Sequence, residues 1–262
     1  MNNSFSPRTG SPQAGSQQVG SQQVGRLYGV GVGPGDPELM TVKAIRTIAA
    51  CPVVAYFCKR GTKGHARRIA SDAITAEHEE LPMVYPVTVE LPPDHPDYGR
   101  QIEAFFDESA ERIAVHLAAG RSVAALNEGD PFFYGSFMHL FLRLASRFPT
   151  EVIPGVTSMV SSASLLPRPL MLRDDVLSVI PGTLDEESLV RTLRHTDAAV
   201  VMKLGQNLPK VRRAIAAAGL ADRAWYVERA SMAEQRVLPF AEAPDTAPYF
   251  SQIVIPGEGK RG

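Results

Sequence analysis

The chain has 262 residues, 44% of them hydrophobic and 21% charged, with a formal net charge of −1. That length fits one large or two medium domains. The near-zero charge excludes a global electrostatic case for nucleic acid or an anionic membrane, so anion binding must come from local basic clusters.

Residues 1–25 are rich in Ser, Gln, Gly and Pro and hold the short repeat "GSQQVGSQQVG". They have little to bury and read as a disordered tail. No charged patch followed by an apolar stretch marks a secretory signal. No apolar run reaches the roughly 18 residues of a membrane span. The expectation is a cytoplasmic protein, with Cys51 and Cys58 as idle thiols in a reducing compartment.

From Arg26 the pattern becomes β-loop-α-β, the unit of a parallel sheet. "RLYGVGV" is a buried strand, and "TVKAIRTIAA" a helix with Val42, Ile45, Ile48 and Ala49 on one face. "CPVVAYF" is the next strand. "QIEAFFDESAERIAVHLAAG" is an amphipathic helix burying Ile102, Phe105, Phe106, Ile113 and Leu117, ended by Gly120. "SVAAL" is a strand, "SFMHLFLRLASRF" a helix and "TEVIPGVTS" a strand and loop. "LLPRPLMLRDD" reads as a linker or crossover. A second α/β series follows, from "VLSVIPG" to a final strand "FSQIVIPG". The fold class is therefore α/β. An N-terminal domain spans 26–150 and holds the glycine loop, a C-terminal domain spans 151–262, and a cleft lies between them.

"GVGVGPGDPELMT", Gly29 to Thr41, looks at first like a dinucleotide loop. The G-x-G-x-x-G register fails. Counted from Gly29 the third glycine is Pro34; counted from Gly31 it is Asp36. Pro34 and Pro37 also remove backbone donors that a pyrophosphate would need. Asp36 puts negative charge where phosphate would sit. The loop suits a neutral or cationic ligand, or Asp36 simply caps a helix, with Thr41 as the rival cap. A second Gly-Asp-Pro follows another strand in "NEGDPFFYGS", and "PGVTS" follows a third. These loops read as walls of one pocket. The six histidines show no metal-ligand spacing, so no protein-bound metal is expected.

"LYGVGVGPGDPELMT", "EGDPFFYGS", "PGVTS" and "YVERASMAEQRV", in this order, resemble the tetrapyrrole methylases. The doubled aromatic in "EGDPFFYGS", with "LPMVYPVT" and "IPGTLDEESL", is most similar to the branch that methylates precorrin-2 in cobalamin biosynthesis. One departure is "SLLPRPL", which lacks a glycine the family carries. The resemblance implies two α/β domains, a homodimer, and S-adenosylmethionine bound between the domains. It places cofactor contacts at Pro34, Glu128, Gly129, Asp130, Phe133, Thr157, Ser158, Leu204, Ala230 and Met232. The tetrapyrrole substrate, precorrin-2, carries a rim of carboxylates. "KRGTKGHARR" offers a clamp through Arg60, Lys63 and Arg67, against the alternative of a solvated charged loop. No catalytic base is assigned; Glu128, Asp130 and Tyr134 are candidates by location. Three rival readings are cobalt-factor II as substrate, a nucleotide-dependent oxidoreductase, and a tetrapyrrole-binding protein without catalysis.

Overall fold

The computed structural model describes residues 23–86 and 96–259. Most of the expected tail, residues 1–22, and the end of "LPMVYPVT" lie outside the described residues.

The first sheet is built by β1 (Leu27–Gly31), β2 (Val53–Cys58), β3 (Glu79–Val84), β4 (Val123–Asn127) and β5 (Thr150–Ile153). Its order is β3-β2-β4-β1-β5 and every neighbouring pair is parallel. Helices α1 (Val42–Ala50) and α2 (His65–Ile69) cover one face. Helices α3 (Pro96–Ala118) and α4 (Phe137–Leu144) cover the other. β1 and β4 are neighbours, yet the helices that follow them go to opposite faces. That is a topological switch point, where open α/β sheets leave a crevice beyond their strand ends.

β3 was not foreseen. It carries Glu79, Glu80 and Pro82, a poor strand sequence, but it is an edge strand and proline is tolerated there. The expected face of α1 also needs correction. Thr41 caps the helix by accepting from Ala44 N at 3.0 Å, and this start turns Ala44 and Ile48 to the sheet. Val42 and Ile45 remain 62% and 43% exposed, and Ala49 is exposed too. Glu151 to Ile153, assigned by sequence to the second half, pair with β1, so the first sheet closes at Ile153.

The second sheet contains β6 (Leu177–Pro181), β7 (Ala198–Met202), β8 (Trp225–Glu228), β9 (Arg236–Pro239) and β10 (Ser251–Ile255). It runs β6-β7-β10-β8-β9. Only β6 and β7 are parallel; β10 inserts antiparallel between β7 and β8. Helices α6 (Glu186–Arg194) and α7 (Leu208–Ala217) cover one face. The other face lies under α5 (Ser158–Ser164) and the crossover after it, which buries Leu166 and Leu170. The proline-rich segment is thus packed against the sheet, with Arg168 donating to the Gly257 carbonyl. Because α5 leaves the first sheet and packs on the second, it ties the two halves together.

Candidate functional site

β4, β1 and β5 stand side by side, so the three glycine-bearing loops leave the sheet at one edge. The first two are bonded directly. Gly129 N donates to Gly33 O at 2.8 Å, and Gly33 N returns to Gly129 O at 3.4 Å. The third loop comes closer still. A Cβ on Gly155 would meet Gly129 O at 2.1 Å, and one on Gly31 would meet Gly155 N at 2.6 Å. Only glycine permits that approach.

Two polar side chains stitch this framework. Asp130 Oδ2 accepts from Gly155 N at 3.0 Å and its Oδ1 from Phe132 N at 2.9 Å. Asn127 accepts from Phe137 N and donates to the carbonyls of Glu128 and Asp130. Sequence reasoning singled out Asp130 for the cofactor and passed over Asn127, which is 5% exposed at the end of β4. The two rival caps both exist. Asp36 accepts from Glu38 N over a short 3-10 turn, Pro37–Leu39, and Thr41 caps the helix behind it.

The second half supplies the loops after β7 and β8. Among the described residues five non-glycine positions have positive φ. Four of them, Tyr134, Lys203, Arg229 and Ser231, are next to expected contacts Phe133, Leu204, Ala230 and Met232. Such conformations cost about 1–3 kcal/mol each and persist where surrounding structure imposes them. No sequence pattern announces their gathering beside these loops.

These loops meet the first half at several points. A Cβ on Gly35 would lie 2.5 Å from Met232 Cγ, and Asp36 N donates to Ser231 Oγ at 3.3 Å. Lys203 Nζ sits 4.4 Å from the Tyr134 ring centroid. Ser158 Oγ accepts from Gln252 Nε2. Leu204 is fully buried in the core beneath α6 and α7, and Ala230 is 8% exposed in the cluster beneath α5. Thr157 caps α5.

A cavity of about 490 Å³ opens between the halves, lined by Gly35, His65, Arg68, Arg229, Met232 and Phe250 among others. Of the expected cofactor residues only Met232 lines it, beside Gly35 and Pro37. It also revises the basic clamp. Arg67 does not line it: its guanidinium forms a two-point ion pair with Glu80, both contacts 2.8 Å. That hydrogen bond holds the Glu80 carboxyl down at about 2. Arg60 and Lys63 are exposed and do not line it either. Arg68 does, from the first half, and Arg229 faces it from the second. Arg68 bonds the His65 ring, and among the described residues no carboxylate pairs with it. Burial, then the charges of Arg68 and Lys59, lower the His65 pKa. Glu128 Oε1 accepts from Ala66 N in the first turn of α2 at 3.2 Å. Burial pushes its carboxyl above the usual range. Among the described residues no cluster of His, Cys, Asp and Glu could hold a metal ion, and no helix is long and apolar enough to cross a membrane.

Comparison with known proteins bears on these loops. The sequence profile of the Tetrapyrrole (Corrin/Porphyrin) Methylases matches residues 26–243. A precorrin-2 C(20)-methyltransferase from Sinorhizobium sp is 54% identical over 233 residues, 88% of this chain and 95% of that one. A cobalt-precorrin-2 C(20)-methyltransferase from Salmonella typhimurium is 28% identical, again over 88% of this chain and 95% of the relative. Uroporphyrin-III C-methyl transferase from Thermus thermophilus, solved with S-adenyl homocysteine, superposes with a TM-score of 0.60 at 26% identity. That match covers 90% of this chain and 94% of the other. The glycine-packed loops, the two sheets and these matches agree: the chain belongs to the tetrapyrrole methylases.

Proposed function

We propose that this chain transfers a methyl group from S-adenosylmethionine to C(20) of precorrin-2, a step of cobalamin biosynthesis. One observation carries the choice within the family: 54% identity with the Sinorhizobium enzyme of that name, over 95% of its length. The cobalt-bearing substrate is the second reading, and the Salmonella enzyme named for it is only 28% identical.

The residues present fit the cofactor. Val32–Thr41 and Glu128–Ser136 contain no Lys or Arg and four carboxylates, Asp36, Glu38, Glu128 and Asp130. Such loops repel a phosphate and favour a cation. When bound, S-adenosylmethionine supplies a methyl group on positively charged sulfur. Pro34, Gly129, Thr157, Ser158 and Leu204 would hold it through small groups and backbone, with Phe133, Ala230 and Met232 as apolar wall. Glu128 and Asp130 would contribute through the loop they shape. Asp130 has both oxygens committed to backbone N–H groups, so it positions the second and third loops and is a poor proton acceptor.

The chain's main task is alignment. The macrocycle carbon is electron-rich and enamine-like, so no protein nucleophile is needed. Holding the reacting atoms in line provides the rate. The ring carbon takes the methyl as its bond to sulfur breaks, neutral S-adenosylhomocysteine is the leaving group, and the ring gives up a proton to water. Arg68 and Arg229 would steer the carboxylate rim from opposite sides of the cavity. A homodimer, as in the family resemblance, and a cytoplasmic location complete the reading. Parallel turnover of metal-free and cobalt-bearing precorrin-2 tests it. A higher kcat/KM for the metal-free ring supports the proposal, and the reverse order replaces it with the second reading.

A further inference from the structure

Gln252 is 6% exposed on β10, a central strand. Its neighbour on the same face, Val254, packs in the cluster beneath α5, so Gln252 faces α5 as well. Nε2 donates to Ser158 Oγ at 2.5 Å. Oε1 has no hydrogen-bond partner among the described residues. Native folds rarely leave a buried acceptor unpaired, and one that persists calls for an explanation.

Its position supplies one. β10 is antiparallel to β7 and β8, so its first residues lie where those strands end. Gln252 pairs with Val227, and the β7 register carries it to the level of Met202. The loops that leave there hold Leu204 and Ala230, while α5 brings Thr157 and Ser158 over the same face. Ser158 and Ala230, expected cofactor contacts from two separate segments, therefore share the face of one side chain that no motif singled out. The walls are apolar: Met159, Ala163, Met202 and Val227 belong to the same cluster. The nearby carboxylate, Glu228, extends from the other face of β8, bonded to Tyr226, Arg229 and Arg236. An ammonium group would need a carboxylate here. A flat apolar ring with one neutral N–H donor needs what Gln252 offers.

We propose that Gln252 reads the adenine of the cofactor, its Oε1 accepting from the exocyclic amine while Ser158 holds its amide nitrogen. This rests on the cofactor reading above. The test is calorimetry with two ligands, S-adenosylhomocysteine and S-inosylhomocysteine, in which a carbonyl oxygen replaces the amine. The wild-type protein should prefer the adenine compound by about tenfold, the effect of one neutral hydrogen bond in a desolvated site. Gln252→Leu should weaken the adenine compound by about tenfold and bind both ligands alike. Equal binding of both by the wild type, or a preference that survives in Gln252→Leu, overturns the proposal. The wild-type comparison needs no variant, so it stands even if Gln252→Leu fails to fold. Failure of the wild type to bind S-adenosylhomocysteine at all would overturn the cofactor reading, and this one with it.

Discussion

Replacing Gly155 with alanine would put a methyl carbon 2.1 Å from the Gly129 carbonyl oxygen and 2.9 Å from Gly31 Cα. Both are backbone atoms of neighbouring loops, so no rotamer change relieves the clash. Forcing extra volume into a packed site costs about 1–3 kcal/mol when side chains can shift. Here the upper end applies, and separation of the loops also breaks the Asp130 bond to Gly155 N. Gly155→Ala should lose about 3 kcal/mol by urea unfolding and bind S-adenosylhomocysteine at least about tenfold more weakly. Gly35→Ala is the control. Its Cβ meets the flexible Met232 side chain, so stability should fall by less than about 1.5 kcal/mol. A Gly155→Ala protein with wild-type midpoint and affinity would refute the claim that backbone contact between these loops builds the site.

Further outcomes follow from the charged groups. Arg68→Gln and Arg229→Gln should each raise KM for the tetrapyrrole about tenfold, the loss of one charge-assisted contact, and leave S-adenosylhomocysteine binding unchanged in calorimetry. Arg60→Ala and Lys63→Ala should leave KM near wild type, since neither lines the cavity. Arg67→Met should instead cost stability, about 1 kcal/mol after allowance for solvent screening of the partly exposed Glu80 pair. Glu80 sits at about 2 in the folded protein against an ordinary 4.5. Its contribution is therefore present in full above the ordinary value and lost as pH falls from there through about 2. Wild type and Arg67→Met should converge in thermal unfolding toward that acid limit; a constant gap would contradict the ion pair.

Much of the architecture was legible because it follows period and punctuation. β1 and β4 are largely apolar runs ending in glycine loops, and Gly120 ends α3 as its position implied, with φ of 77°. The order of strands was not legible. β10 enters between β7 and β8 through long-range pairing, and β3 hides behind two glutamates and a proline that only an edge strand tolerates. The α1 face was misjudged because Val42 and Ile45 are more apolar than Ala44, while the cap at Thr41 sets the rotation. At the site, the loops were readable as motifs and their contacts were not. Asn127 and Gln252 work through partners 10 and 94 residues away and Arg229 has positive φ, and neither leaves a trace in local sequence. Arg67 and Arg68 are adjacent in the chain; only the position of Glu80 on β3 separates their roles.

The most direct measurement is the position of the new methyl group. The purified chain would be incubated with precorrin-2 and S-adenosylmethionine carrying a carbon-13 methyl, and the product read by NMR. The account predicts one labelled methyl, on C(20), with one equivalent of S-adenosylhomocysteine released. Label at another ring carbon, or none with either metal-free or cobalt-bearing substrate, would contradict it.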